Sequence, residues 1–150
     1  MSAEGVATLN SLLVLTRDGA EDFAEAAKIV ENLKIKTLLE KAAEHCRKSE
    51  EELAAMVRAL GEQPERHASL GGSLHLAWTH LRSRIGGLSD RAILDECLSD
   101  EATAIGVFER ALGHDMPAAA KTLVEKHYRG VRQHYEMVRG LCSAFDLSRG

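Results

Sequence analysis

Apolar residues recur along this chain in alternating steps of three and four, the repeat of a helix that turns one seam toward its neighbours. From about Gly5 to Glu31 the seam runs Val6, Leu9, Leu13, Thr16, Ala20, Phe23, Ala27 and Val30. Asn32, whose side chain can accept from the first free amides of a helix, predicts the cap of a second one. Its inward residues are Ile35, Leu39, Ala42, Cys46, Ser49, Leu53, Met56 and Leu60. Gly61 ends that helix, and Gln63-Pro64 prevents its resumption. So little chain separates the first two helices that they must lie antiparallel side by side.

After Pro64 a shorter helix is predicted over Ser69 to Ile85, with Leu70, Leu74, Ala77, Trp78, Leu81 and Ile85 on one side and Gly86-Gly87 closing it. Ser89 or Asp90 caps the next helix, which reaches Leu112 with Ile93, Cys97, Asp100, Ala104 and Phe108 inward and Gly113 at its end. The last helix starts at Asp115 with Pro117 in its first turn, where a missing N–H is harmless. From about Met116 to Phe145 its seam reads Leu123, His127, Gly130, His134, Met137 and Leu141. The short helix spans roughly 24 Å at 1.5 Å per residue. With its flanking coil it can return the chain along a bundle, leaving two antiparallel pairs of long helices. The expected fold is all-α: a ferritin-like four-helix bundle with a short crossover helix between the second and third long helices. A five-helix array without that connectivity is the alternative.

Composition sharpens this picture. A length of 150 residues suits one domain over 1–150. Two prolines and 4% aromatic residues agree with an all-helical chain. The formal charge of −4 is spread over 19 basic and 23 acidic side chains with no basic stripe, which argues against a nucleic-acid partner. No run approaches about 18 apolar residues, and Met-Ser-Ala-Glu-Gly is not the start of a secretory signal, so no membrane partner is expected and a cytoplasmic setting is. Cys46, Cys97 and Cys142 lack CxxC spacing and read as reduced, buried small residues.

The chemistry of interest lies in the last helix, whose seam turns His127 and His134 toward the core. Two-metal bundles take a Glu from each of two helices and a Glu-x-x-His from each of the other two, because a spacing of three puts both side chains on one face. Here Ala42 stands three before His45, Val124 before His127 and Val131 before His134, so no Glu-x-x-His occurs. Matching heights along the bundle gives two polar layers. One gathers Thr16, Ser49, Asp100 or Glu101, and His127. The other, about two turns along, gathers Glu21 or Glu25, Glu96 and His134, with His45 at its edge. Such a group could bind a single zinc or iron ion. The plainer alternative is a buried hydrogen-bonded pair, His127 with Asp100 or Glu101 and His134 with Glu96. Glu21, Glu25 and Glu101 are each expected on a solvated flank of their helix in preference to the core, since charged side chains are rarely buried unpaired. His67, His75, His80 and His114 fall in connectors or at helix ends. There is no phosphate-binding glycine loop, no Gly-x-Ser-x-Gly elbow and no cysteine framed by a base, so a hydrolase is not indicated.

Four stretches, Leu15 to Phe23 (LTRDGAEDF), Leu60 to Pro64 (LGEQP), Gly72 to Trp78 (GSLHLAW) and Ile93 to Glu101 (ILDECLSDE), resemble in order and spacing an uncharacterised family of bacterial ferritin-like four-helix proteins. The resemblance covers nearly the whole chain, and Tyr128 to Leu141, with His134 inside it, is similar to that family's last helix. It implies the fold and says little of activity. The functional expectation is a ferritin-like module of unknown cellular role, non-enzymatic or stress-related, with at most one vestigial metal site. The alternative is an iron- or zinc-dependent oxidase or metal-handling enzyme whose unusual ligands come from His127, His134, Glu96, Asp100, Glu101, Glu21, Glu25 and His45. Apolar positions beyond one seam's needs, Val14, Leu15, Ile29, Leu76 and Ile105, predict a homo-oligomer, in the simplest form a dimer, with some of them covered by the crossover.

Overall fold

The computed structural model describes residues 2–65 and 89–149. Four helices account for nearly all of them: α1 (Ala3–Ile29), α2 (Leu33–Ala59), α3 (Asp90–Leu112) and α4 (Ala118–Arg149). No strand occurs among the described residues. The crossover helix expected over Ser69 to Ile85, Trp78 included, lies outside them.

Local chemistry sets the helix ends. Ser2 Oγ accepts from Gly5 N–H at 3.1 Å, starting α1. Asn32 Oδ1 accepts from Lys34 and Ile35 N–H at 2.9 and 3.1 Å, starting α2. Past the end of α2, Gly61 adopts φ +83°. Its N–H donates to Arg58 O, and Glu62 N–H donates to Val57 O. This is the Schellman arrangement, in which a left-handed residue lets the last carbonyls be met. Ser89 Oγ caps α3 by accepting from Ala92 N–H at 3.1 Å.

Two side-chain contacts fix the topology. Asp90 accepts from the Glu31 and Asn32 N–H groups at 3.0 and 2.9 Å, so α3 begins at the end of the bundle where α1 passes into α2. Near the other end, Asn10 Oδ1 accepts from Glu65 N–H at 2.8 Å. The chain therefore leaves α2 at one end and enters α3 at the opposite one. α1 and α2 are antiparallel, as are α3 and α4, α1 also packs on α3, and α2 on α4. This is the connectivity of a ferritin-like bundle with one long connection.

The core divides along the bundle axis. One end packs Phe23, Val30, Ile35, Leu39, Ile93, Leu94, Cys97 and Val138. The other packs Leu9, Leu12, Leu13, Leu53, Val57, Phe108 and Val124. Each fully buried side chain of this kind contributes about 1.5–3 kcal/mol. Between them is a waist where Thr16, Asp22, Ser49, Asp100, Glu101 and His127 are buried.

The buried line of α4 is rotated from the expected seam. Ala120, Val124, His127, Val138 and Cys142 are buried, while Met137 is 45% exposed. The reason is that α4 faces two neighbours: Val138 and Cys142 pack with Ile93, Leu94 and Cys97 of α3. Met137 and Leu141 instead border a groove of about 370 Å³ opposite Lys34, Leu38 and Lys41 of α2. The expected association positions also shift. Val14 and Leu15 are buried at 2% and 6% exposure, and Ile29 and Ile105 are half-buried. Leu76 lies outside the described residues. Among those described, no helix is long and apolar enough to cross a membrane.

Candidate functional site

The waist holds two different polar arrangements. The first centres on His127 of α4, which is 2% exposed. Ser49 of α2 meets its Nδ1 at 2.8 Å in a hydrogen bond whose direction follows the imidazole tautomer. One turn further along α2, Glu52 Oε2 lies 2.9 Å from His127 Nε2, off the line of a hydrogen bond. Lys126 Nζ donates to both Glu52 oxygens at 3.2 and 3.0 Å, and so ties the group to the surface. Burial lowers the His127 pKa, with the Glu52 charge opposing. The Glu52 carboxyl is held below its ordinary value, chiefly by the hydrogen bond from Lys126.

The second arrangement surrounds a cavity of about 50 Å³, which all four helices line. That volume has room for one or two water molecules if polar groups meet them. α1 contributes Thr16 and Asp22, and α3 contributes Asp100 and Glu101. α2 contributes Ala42 and His45, and α4 contributes Val131 and His134. Glu101, expected on a solvated flank, is instead buried at 3% exposure, and among the described residues neither carboxyl oxygen has a hydrogen-bond partner. Burial first, and then the Asp100 charge, push its pKa up to about 8. A carboxylic acid so placed keeps its proton at neutral pH, because ionising it in a poorly polar site is costly.

The His45 ring connects the two arrangements. It stands edge-on to His127 at 5.9 Å between centroids and tilted against His134 at 5.2 Å. Gly130 of α4 makes room for it: a Cβ there would collide with His45 Nε2 and Cε1. Burial lowers the pKa of His45 and of His134. His134 Nδ1 is buried with no hydrogen-bond partner among the described residues. The three rings are therefore neutral near neutral pH. The cysteines are free. The Cys46 thiol is pushed up to about 12 by burial and the Glu101 charge. Burial also raises Cys97 well above its ordinary value, so neither is a ready thiolate.

Among the site residues expected from sequence, His45, His134, Asp100 and Glu101 come together at the cavity. His127 lies beside them but pairs with Ser49 and Glu52 in place of Asp100 or Glu101. Glu96 is half-buried and absent from the cavity wall, so His134 meets His45 instead. Glu21 is exposed, and Glu25 reaches Lys28 at 3.6 Å on the solvent side of α1. Sequence reasoning missed Glu52, although it follows Ser49 by three and so shares its face. It also missed Asp22, which is 5% exposed yet adjoins the inward Phe23.

The donor set does not fit a two-metal centre. His45 and His134 line the cavity as a Glu-x-x-His pair of helices would have them do, but the two glutamate positions hold Ala42 and Val131, which line the same cavity. Among the described residues, no group of three or more His, Cys, Asp or Glu side chains is arranged to hold a metal ion.

A family described as "Domain of unknown function (DUF2383)" matches residues 4–114, a stretch that ends before α4. No curated protein sequence matches. Among solved structures, a two-domain protein of Anabaena variabilis with DJ-1/ThiJ/PfpI-like and ferritin-like domains is similar at a TM-score of 0.79 and 16% identity, over 97% of this chain and 38% of that one. This chain thus spans well under half of that protein. A dodecameric thioferritin, the bacterioferritin-related protein of Bacteroides fragilis, is similar at a TM-score of 0.79 and 14% identity, over 97% of this chain and 88% of that one. Dps of Thermosynechococcus elongatus follows at a TM-score of 0.73 and 12% identity, over 92% and 89%. At such identities the likeness establishes a ferritin-like four-helix fold and nothing finer.

Proposed function

The chain belongs to the family described as a domain of unknown function (DUF2383), and from that premise we propose a non-enzymatic, ferritin-like module, association- or stress-related, whose centre is a neutral acid–imidazole cluster. The observation that carries this reading is the pair Ala42 and Val131, apolar residues on the cavity wall at the two positions where a two-metal bundle needs glutamates. Elemental analysis of protein purified from unsupplemented cells tests it. Iron and zinc together should fall well below one ion per chain. Stoichiometric metal that is lost in a His127→Ala, His134→Ala double variant would overturn the reading in favour of a metal-dependent oxidase or metal-handling enzyme with a His and carboxylate ligand set.

Self-association is part of the proposal. The similar Bacteroides protein is described as dodecameric, and Leu33, Met137 and Leu147 are large apolar residues exposed at 77%, 45% and 82% in this chain. We expect a homo-oligomer with a dimer as its smallest form, built from a single domain over 1–150, in the cytoplasm, where three free thiols stay reduced. A monomer mass independent of concentration in sedimentation would contradict it.

A further inference from the structure

We infer that the central cavity is a two-metal centre lacking two ligands, and that Ala42→Glu together with Val131→Glu enables this chain to bind a pair of first-row divalent ions. The inference rests on the reading above, that the native chain carries no resident metal. The usual constellation needs six side chains: one carboxylate from each of two helices and a carboxylate–imidazole pair, spaced by three, from each of the other two. Six positions on this cavity wall match it helix by helix. α1 supplies Asp22, α3 supplies Glu101, and α2 and α4 supply His45 and His134, leaving only 42 and 131 without donors.

Three features make the wall more than a coincidence of spacing. Glu101 is 3% exposed, borders the cavity, and has neither oxygen hydrogen-bonded among the described residues, so its donor capacity is unspent. The His45 and His134 rings stand 5.2 Å apart, a span that lets two ions about 3.5–4 Å apart take one imidazole each. Residues 42 and 131 already border the open volume of about 50 Å³, so new carboxylates enter space that exists or replace the branches of a valine. Two dications would also displace the proton that Glu101 keeps at neutral pH and neutralise the buried carboxylate left behind.

The test is anaerobic titration of the intact chain with Co(II), read by visible d–d absorption and by ions bound per chain after gel filtration, with circular dichroism as the folding check. The double variant should bind about two Co(II) per chain, each single variant fewer, and the wild type none. Adding Glu101→Gln to the double variant should reduce the occupancy. A folded double variant that binds no more Co(II) than the wild type overturns the inference. Stoichiometric binding by the wild type would overturn the reading of the native protein instead. Should the double variant unfold without metal, refolding on Co(II) addition supports the inference, as for other metal-coupled folds. If it stays unfolded with Co(II), the single variants decide: no Co(II) bound by either, folded or not, overturns it.

Discussion

His127 and Glu101 share the waist of the bundle and are equally withdrawn from water, at 2% and 3% exposure, yet their polar atoms are met in opposite ways. His127 is held by Ser49 and approached by Glu52, which Lys126 anchors to the surface. Glu101 faces a cavity with no hydrogen-bond partner among the described residues. Burial lowers the pKa of the first and raises that of the second, so both are neutral around pH 7. The difference lies in what neutrality costs. His127 gains a hydrogen bond for its burial, whereas Glu101 must keep a proton that an exposed carboxylate would lose.

The largest expected effect is at His127, where one ring nitrogen is hydrogen-bonded. His127→Ala removes a buried ring and orphans the Ser49 hydroxyl, which together should destabilise the fold by about 3–4 kcal/mol. Urea unfolding at pH 7 measures it. A loss under about 1 kcal/mol would mean that the ring carries little of the waist's packing.

At Glu101, removing charge should help. Folded Glu101 holds its proton up to about pH 8, against an ordinary value of 4.5, so the folded state carries the extra proton between them and stability falls as pH rises through that window. His45, His127 and His134 act in the other sense: their folded values lie below 6.5, so the unfolded chain takes up protons first and stability is lost as pH falls below that value. Stability should therefore peak near pH 6–7. Glu101→Gln, which replaces the acid with a neutral isostere, should stabilise by about 2–3 kcal/mol at pH 9, or roughly 5–10 °C in Tm, and have almost no effect at pH 5. Equal shifts at both pH values would remove ionisation of Glu101 as the cause.

The fold was legible in the sequence where the governing forces are local or periodic. The α1 seam from Leu9 to Val30 is buried throughout, because one helix face is read directly from a 3.6-residue repeat. Asn32, Ser89 and Gly61 were readable as caps, since capping depends on a few adjacent atoms. The partners at the waist were not. Whether His127 meets Ser49 and Glu52 or Asp100 and Glu101 depends on how far α4 is rotated between α2 and α3, a quantity set by packing. His127 and His134 sit where the expected and observed α4 seams nearly coincide, so a rotation that exposed Met137 left both histidines at the waist. The same limit applies to Ala42 and Val131. Sequence showed that they break the Glu-x-x-His spacing, and the structure adds that they share one cavity wall.

Gly130→Ala tests the link between the two arrangements and should have the smallest effect on stability. Alanine favours the helix by about 0.5–1 kcal/mol over glycine, but its Cβ would collide with the His45 ring. His45 is half-buried and its ring is the end of a rotatable side chain, so the ring can swing outward while the α4 backbone stays in place. The two terms oppose each other, and net stability should change by less than about 1 kcal/mol. The titration should move more than the stability does. Burial is the main cause of the lowered His45 value, so an outward ring should titrate closer to 6.5. His134, lowered by burial and secondarily by His45, should rise with it, while the Ser49–His127 hydrogen bond remains. Imidazole NMR titration of the wild type and the variant would show this. An unchanged His45 titration accompanied by a loss above about 2 kcal/mol would mean that the ring is fixed and the α2–α4 contact yields instead, making His45 part of the packing that joins the two halves of the waist.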